Sequence, residues 1–481
     1  MTRATTRSLV GGFRWLAAWA AWTAAAAEAA VAQQVSRPQA LQEFVAVEAP
    51  VVVLQGVKVI DGTGAAARVN QTIVIRGDRI TEVGDAGRVT VPAGARVLEL
   101  AGHTVIPGLV GLHDHSFYTA AGGRAAQLSF SGSRLYLASG VTTIRTTGAR
   151  SPYEELNLKR EIDAGLTIGP TMFTTGPYLT GQRGSRTMTL LNGPDDARRV
   201  VRYWSEEGVS WFKAYTEITR AELGAAIEEA HRHGLKVTAH LCSVTYSEAV
   251  DLGIDNLEHG LFANSEYDPG KQPDECPPGF SARYGDLDIQ SAPVQATIRK
   301  MVERNVAMTS TLAVYEISVQ GRPPIDERVF EVLAPDIARD VRAAAEQRRL
   351  QGIAPAVLKK AMEFEYAFSK AGGLLVAGVD PTGYGAAPPG FGDQKNFELL
   401  REAGFTAPEV VRIMSANGAR VLGIFDQVGT VEAGKVADLV ILRGDPERDG
   451  HIRDVRIVFR HGVGWDSPKL IESVKGRVGI S

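Results

Sequence analysis

Between Thr104 and Gly423 the chain alternates apolar runs of four to eight residues with amphipathic stretches, and the apolar runs repeatedly end in histidine or aspartate. Runs that are apolar throughout, rather than at every second position, suit strands covered on both faces, and intervening helices make such strands parallel. Eight candidates stand out: VIPGLVGLH, VTTIRTT, TMFTTGPYL, SWFKAY, KVTAH, DNLEH, VAMTST and LLVAGVD. Eight such units predict an α/β chain folded as a (β/α)8 barrel. Among the helices, TRAELGAAIEEAHRHG sets Leu223, Ile227 and Ala230 on one face, with Gly234 where a C-cap belongs.

The flanks have a different texture. VVVLQGVKVI, TIVIRGDRITEVG and ARVLEL alternate as antiparallel strands do and are separated by Asp-Gly, Gly-Asp and Pro-Ala-Gly turns. Similar material returns in VGTVEAGKVADLVILRGD and VRIVFRHGV. The expected organisation is therefore a barrel over 105–423, inserted into a small β-sandwich built from 46–104 and 424–475. Three connections exceed what a minimal barrel needs, Leu261 to Ala292, Leu312 to Ala354 and Pro381 to Lys395. Each follows a strand end and so belongs to the face where long loops cover a site. The second is expected to hold one helix, from Ile325 to about Arg349.

Arg3, Arg7 and Arg14, with no acid among them, precede the apolar run Trp15 to Ala27 and the small residues Ala30-Val31-Ala32. This order predicts a secretory signal over 1–32 and an exported, periplasmic or secreted, protein. The run falls short of the ~20 residues that span a bilayer, so no stable membrane span is expected after cleavage. In an oxidising compartment the two cysteines, Cys242 and Cys276, are either one disulfide or two unrelated thiols, and spacing alone does not decide. A formal net charge of -3 offers no electrostatic footprint for nucleic acid. A homo-oligomer stays open.

In a (β/α)8 barrel the C-terminal strand ends converge on one face. The first expected strand ends in His113-Asp114-His115, the fourth carries Lys213, the fifth and sixth end at His240 and His259, and the last ends at Asp380. His113 and His115, two apart on a strand, leave the same face while Asp114 points away. Any one of these side chains alone would be an ordinary hydrogen-bonding group. Their recurrence at successive strand ends points to a metal site suited to Zn, Co, Mn or Fe. Lys213, inside an apolar strand, has two readings: a lysine whose ammonium finds solvent or an acid, or an amine with lowered pKa able to take up carbon dioxide as a carbamate.

These residues, with VKVIDGTG near the start, VIPGLVGLHDH at the first strand and ADLVILRGDP near the end, resemble the amidohydrolase superfamily and its imidazolonepropionase-like branch over nearly the whole mature chain. The order Lys, His, His, Asp is similar to binuclear Xaa-Pro dipeptidases and ochratoxin-type amide hydrolases. The resemblance implies two divalent metal ions, zinc by default. His113, His115 and Asp380 would hold one, His240 and His259 the other, and Lys213, as N6-carboxylysine, would bridge them. It further implies a hydroxide shared by both metals, with Asp380 passing a proton to the leaving nitrogen of a small amide or peptide substrate.

Mononuclear deaminases of the superfamily lack the bridging lysine and place a glutamate soon after the fifth-strand histidine, whereas His240 is followed by Leu-Cys-Ser-Val-Thr. Deamination is disfavoured. The loop GPYLTGQRGSRTM lacks the histidine of several related dipeptidases, which leaves Arg183 or Arg186 either to clamp a substrate carboxylate or to sit solvated on a loop. Tyr215 faces the same way as Lys213 and is either an oxyanion donor or packing beneath a lid; Tyr178 is a further substrate-binding candidate. Ester, lactone or phosphotriester hydrolysis at the same metals, and a non-catalytic binding protein, are the alternatives.

Overall fold

The computed structural model describes residues 37–119, 125–381 and 386–480. The expected signal, 1–32, lies outside them, as does part of the third long loop. The central strands are β1 (Leu109–Asp114), β2 (Val141–Thr146), β3 (Thr171–Phe173), β4 (Thr175–Thr180), β5 (Trp211–Ala214), β6 (Lys236–Ala239), β7 (Asn256–Glu258), β8 (Ala307–Ser310) and β9 (Leu375–Ala377). Helices follow them in turn: α1 (Ser131–Ala138), α2 (Pro152–Asp163), α3 (Pro194–Glu207), α4 (Arg220–Arg232), α5 (Tyr246–Asp251), α6 (Ala292–Glu303), α7 (Pro355–Lys370) and α8 (Phe391–Glu402). Nearly all the strand residues are buried, because helices cover one face and neighbouring strands the other.

Every pairing among β1 to β9 is parallel, in the order β3-β2-β1 and β4-β5-β6-β7-β8-β9, the latter extended by Thr189–Leu190. The expected single closed ladder is therefore two parallel sheets. One interruption lies at Thr174, which splits the expected third strand into β3 and β4, and the gap is spanned by an isolated parallel bridge from Ala149 to Pro177. The other lies between β9 and β1, where the amides of Val379 and Asp380 both donate to the His113 carbonyl, at 3.1 and 2.8 Å. Gly378 permits that approach: a Cβ there would sit 2.3 Å from the His113 nitrogen.

Both chain ends enter one nine-stranded mixed sheet, with strands Val45–Val47, Val51–Val59, Arg68–Arg76, Arg79–Asp85, Arg96–Glu99, His103–Pro107, Leu439–Arg443, Val455–Arg460 and Val463–Asp466. Pairing is continuous here instead of dividing into the two sheets of the expected sandwich, because 103–107 pairs with Leu439–Arg443 on one side and with Val51–Val59 on the other. The sheet curls back on itself: Ile80 N donates to Lys435 O, and Val47 and Ile80, from opposite ends of the strand order, share a core with Val52, Leu54, Ile73 and Phe459. The expected first barrel strand, 105–113, is thus two strands. The chain changes sheets at Gly108, whose amide turns to Asp438 O while that of Leu109 turns to Gly140 O.

The single helix expected over 325–349 is two, Glu327–Val332 and Pro335–Gln351, since a proline at 335 disfavours helical conformation in the residue before it. Cys242 and Cys276 form a disulfide with Cα atoms 4.9 Å apart, tying the first long loop to the end of β6. Among the described residues, no helix is long and apolar enough to cross a membrane.

Candidate metal centre

His113, His115 and Asp380 each offer one ligand atom, and these atoms lie within 4.8 Å of one another. The histidines arrive at the end of β1, and Asp380 follows β9, the two strand ends joined by the His113 carbonyl contacts described above. Asp380 Oδ1 lies 3.1 Å from His115 Nε2 and 3.6 Å from His113 Nε2, and its Oδ2 lies 3.8 Å from His259 Nε2. The rings of His113 and His259 are 4.4 Å apart, and those of His259 and His240 are 4.3 Å apart. Four imidazoles and one carboxylate from β1, β6, β7 and β9 thus converge at the strand ends, and Lys213 of β5 is buried with its Nζ making no hydrogen bond.

The backbone is bent to this purpose. Asp380 has φ 52° and His259 φ 70°, a region that non-glycine residues enter at a cost of order 1–3 kcal/mol. Two ligand candidates held in that conformation are consistent with a site for which the surrounding fold dictates geometry. Tyr136, on α1, steadies the next one: its hydroxyl accepts from the His115 amide and donates to the His115 carbonyl, each at 3.0 Å.

Burial sets the protonation states. It pulls His113 down to about 4 and His240 to about 3, with Lys213 adding to each, and it holds His259 well below the ordinary imidazole range and lowers His115. The imidazoles are therefore predominantly neutral at pH 7. Burial likewise pulls Lys213 down to about 8, with Glu258 and Asp380 opposing it and Arg145 acting in the same direction. Asp380, which burial alone would raise, is held well below the usual carboxylate range by His113, His115 and His259.

Sequence reasoning did not single out Glu258, the residue before His259. Its side chain is fully buried and accepts from His113 Nδ1 at 2.8 Å, Asn256 Nδ2 at 2.9 Å, Arg145 Nη2 at 2.5 Å and the Thr238 hydroxyl. Because His113 is neutral, what it gives Glu258 is an N–H hydrogen bond, and this fixes the tautomer that leaves Nε2 with a lone pair facing Asp380. His259 is oriented in the same way by Thr311, 2.7 Å from its Nδ1. Arg145, equally buried, lies with Cζ 4.5 Å from the Trp211 ring centroid. The signal for both missed residues was the one that exposed Lys213, a charge within an apolar strand. Asp114, expected to leave the opposite face from His113 and His115, accepts from the Val379 amide at 3.3 Å, and burial and Asp393 push its carboxyl well up.

Aromatic rings wall the cluster. Tyr215 stands 4.9 Å from the His240 ring and 5.3 Å from Tyr178, which lies 6.2 Å from His115; Tyr315 stands 5.5 Å from His259 and stacks on Phe262 at 3.9 Å. Tyr178 and Tyr215 are thus brought to the histidines. Arg183 is not: it is more than half exposed, with Nε 3.4 Å from Glu217 and Nη2 donating to the Asp274 carbonyl. Arg186 is exposed on the same loop.

A sequence profile of the amidohydrolase family matches residues 104–464. An imidazolonepropionase of Streptomyces griseus is 35% identical over 142 residues, which cover 28% of this chain and 35% of the relative, so the chain spans about a third of that protein's length. Among solved structures, a protein named as a prolidase from Bifidobacterium longum matches with a TM-score of 0.64 and 23% identity, covering 88% of this chain and 98% of the other. A Xaa-Pro dipeptidase with bound methionine matches with a TM-score of 0.64 and 20% identity, covering 86% and 100%. At that identity the structural likeness is one of fold.

Proposed function

The chain belongs to the amidohydrolase family, hydrolases acting on carbon–nitrogen bonds, and from that premise we propose that it cleaves an amide in a dipeptide or N-acyl amino acid with the help of two divalent cations. The observation that carries the proposal is the convergence of His113, His115 and Asp380 within 4.8 Å, beside His259 Nε2 and Lys213 Nζ, two buried polar atoms that make no hydrogen bond. A buried group left unpaired costs several kcal/mol unless something else satisfies it, and cations accepted by imidazole, carboxylate and carbamate fit this donor set. His113, His115 and Asp380 would hold one cation, His240 and His259 the other, with zinc the default.

Lys213 is the proposed bridge. Its neutral amine would add to the carbon of carbon dioxide, forming an N–C bond and releasing one proton, to leave an N6-carboxylysine. Bound cations supply a lowered water pKa and a polarised carbonyl. Asp380, less buried than His113, His115 and His259, holds the proton taken from the attacking water and returns it to the leaving nitrogen. Tyr215, whose ring stands 4.9 Å from that of His240, would donate to the developing oxyanion. We read the two parallel sheets together as the family's (β/α)8 barrel and the curled nine-stranded sheet as its accessory sandwich. The Cys242–Cys276 disulfide favours an exported protein, since such bonds persist in oxidising compartments.

Metal content per chain on purified protein, with amide hydrolysis assayed in parallel on Lys213→Ala, tests this reading. Two metals in the parent, with occupancy and activity both lost in the variant, is the expected result. One metal in each, with activity retained, would sink the bridged mechanism.

A further inference from the structure

If a substrate of this kind carries a free carboxylate next to the amide, the protein needs a cation near the metals that no acid of its own already occupies. We propose that Arg150 is that cation and that it receives the α-carboxylate on the leaving-group side of the scissile bond, an inference that rests on the amide-hydrolase reading. Arg150 follows β2 on the catalytic face. The bridge between Ala149 and Pro177 places it laterally beside Tyr178, and Tyr178 is in register with Lys213 on the next strand. The three residues therefore stand at one height across adjacent strands. Gly148, with φ 91°, makes the arrangement possible, since a Cβ there would meet the Tyr178 ring at 2.6 Å.

The half-buried Arg150 side chain lies with its Cζ 5.2 Å from the centroid of Phe117, whose own ring is 4.7 Å from His115. One ring thus separates the guanidinium from a candidate metal ligand. Phe117 and Tyr178 would line the path of the residue released.

Competition separates Arg150 from Arg183 and Arg145, and its place beside Phe117 and Tyr178 separates it from Arg186, which is exposed on its loop. Arg183 is engaged by Glu217 and the Asp274 carbonyl, and Arg145 by Glu258. Among the described residues Arg150 has neither an ion pair nor a hydrogen bond; its guanidinium lies over the Phe117 ring and acts electrostatically on the Tyr178 hydroxyl. A planar fork of donors left open beside an apolar wall is what bidentate carboxylate recognition uses.

The test uses the metal-loaded full chain and a panel of dipeptides and N-acyl amino acids, each as free acid and as primary amide. Arg150→Met, which keeps the stem over Phe117, should raise KM for the acids by about 10- to 100-fold while leaving kcat and all parameters for the amides within a few-fold. Arg150→Lys should recover part of the loss, and Arg183→Met should behave as the parent. Equal effects of Arg150→Met on acids and amides, or none on either, would overturn the assignment. Binding of N-acetyl-alanine, followed by calorimetry, keeps the two readings apart. Absence of hydrolysis with at least tenfold tighter binding to the parent than to Arg150→Met would defeat the amide-hydrolase reading and uphold the carboxylate site; equal binding would refute the site itself.

Discussion

Glu258→Gln is the substitution whose consequence can be worked most completely. The carboxylate and the Arg145 guanidinium are both wholly buried and 2.5 Å apart. Arg145 has little else: its Nε and Nη1 make no hydrogen bond, and its remaining support is the Leu112 carbonyl and the Trp211 ring. Removing one partner of such a pair strands the other charge in a medium that cannot solvate it, a loss of about 3–5 kcal/mol. Glutamine also presents an NH2 group to a pocket made of donors, Thr238, Asn256, His113 and Arg145, so one of them loses its acceptor. If His113 is the one released, its ring is no longer held with Nε2 toward Asp380, and metal affinity should fall about 10- to 100-fold. The urea midpoint and the metal bound after dialysis read the two effects separately. Arg145→Met, Glu258→Met and their combination complete the cycle; the double variant should be milder than the sum of the singles by at least ~2 kcal/mol. A loss under ~1 kcal/mol for Glu258→Gln, together with additivity in the cycle, would refute the idea that this pair carries the weight of the strand ends.

Two further outcomes follow from buried groups outside the cluster. Glu365 on α7 is fully buried, and burial raises its carboxyl to about 8; the native state therefore holds a proton that the unfolded chain releases near the ordinary value of 4.5. Between those limits the parent should lose up to ~1.4 kcal/mol of stability per pH unit that Glu365→Gln does not lose, so thermal unfolding from pH 5 to 8 should show a flatter profile for the variant, and parallel profiles would contradict the assignment. Cys242→Ser, which opens a loop with a sequence separation of 34, should cost about 4 kcal/mol and make 264–291 the first segment cut in limited proteolysis; an unchanged cleavage pattern would show that the loop is held by other contacts.

How much of this was legible in the sequence depends on the range of each interaction. Parallel strands covered on both faces read as apolar runs, so the polar residues that end them, His113, His115, His240, His259 and Asp380, stand out against their neighbours, and the structure does bring them and Lys213 to one place. Where strands stop is less legible. The break at Thr174, the change of sheet at Gly108 and the helix interrupted before Pro335 are decided by which backbone amide finds which carbonyl across the fold, and local composition carries little trace of that.

The harder class is the residue whose meaning is its partner. A buried charge announces that it must be neutralised but not by what: Arg145 and Glu258 are 113 positions apart, on β2 and β7, and only the folded arrangement shows that one exists for the other. The converse holds for the loop arginines, where the sequence points to Arg183 and Arg186 and passes over Arg150. Arg183 is set aside because Glu217 and the Asp274 carbonyl already occupy it, and Arg150 gains interest because, with no acid on it, it lies one ring from His115. Ligand candidates in this chain are visible one residue at a time. Their supports are visible only in pairs, and a free binding group only once every internal pairing around it has been accounted for.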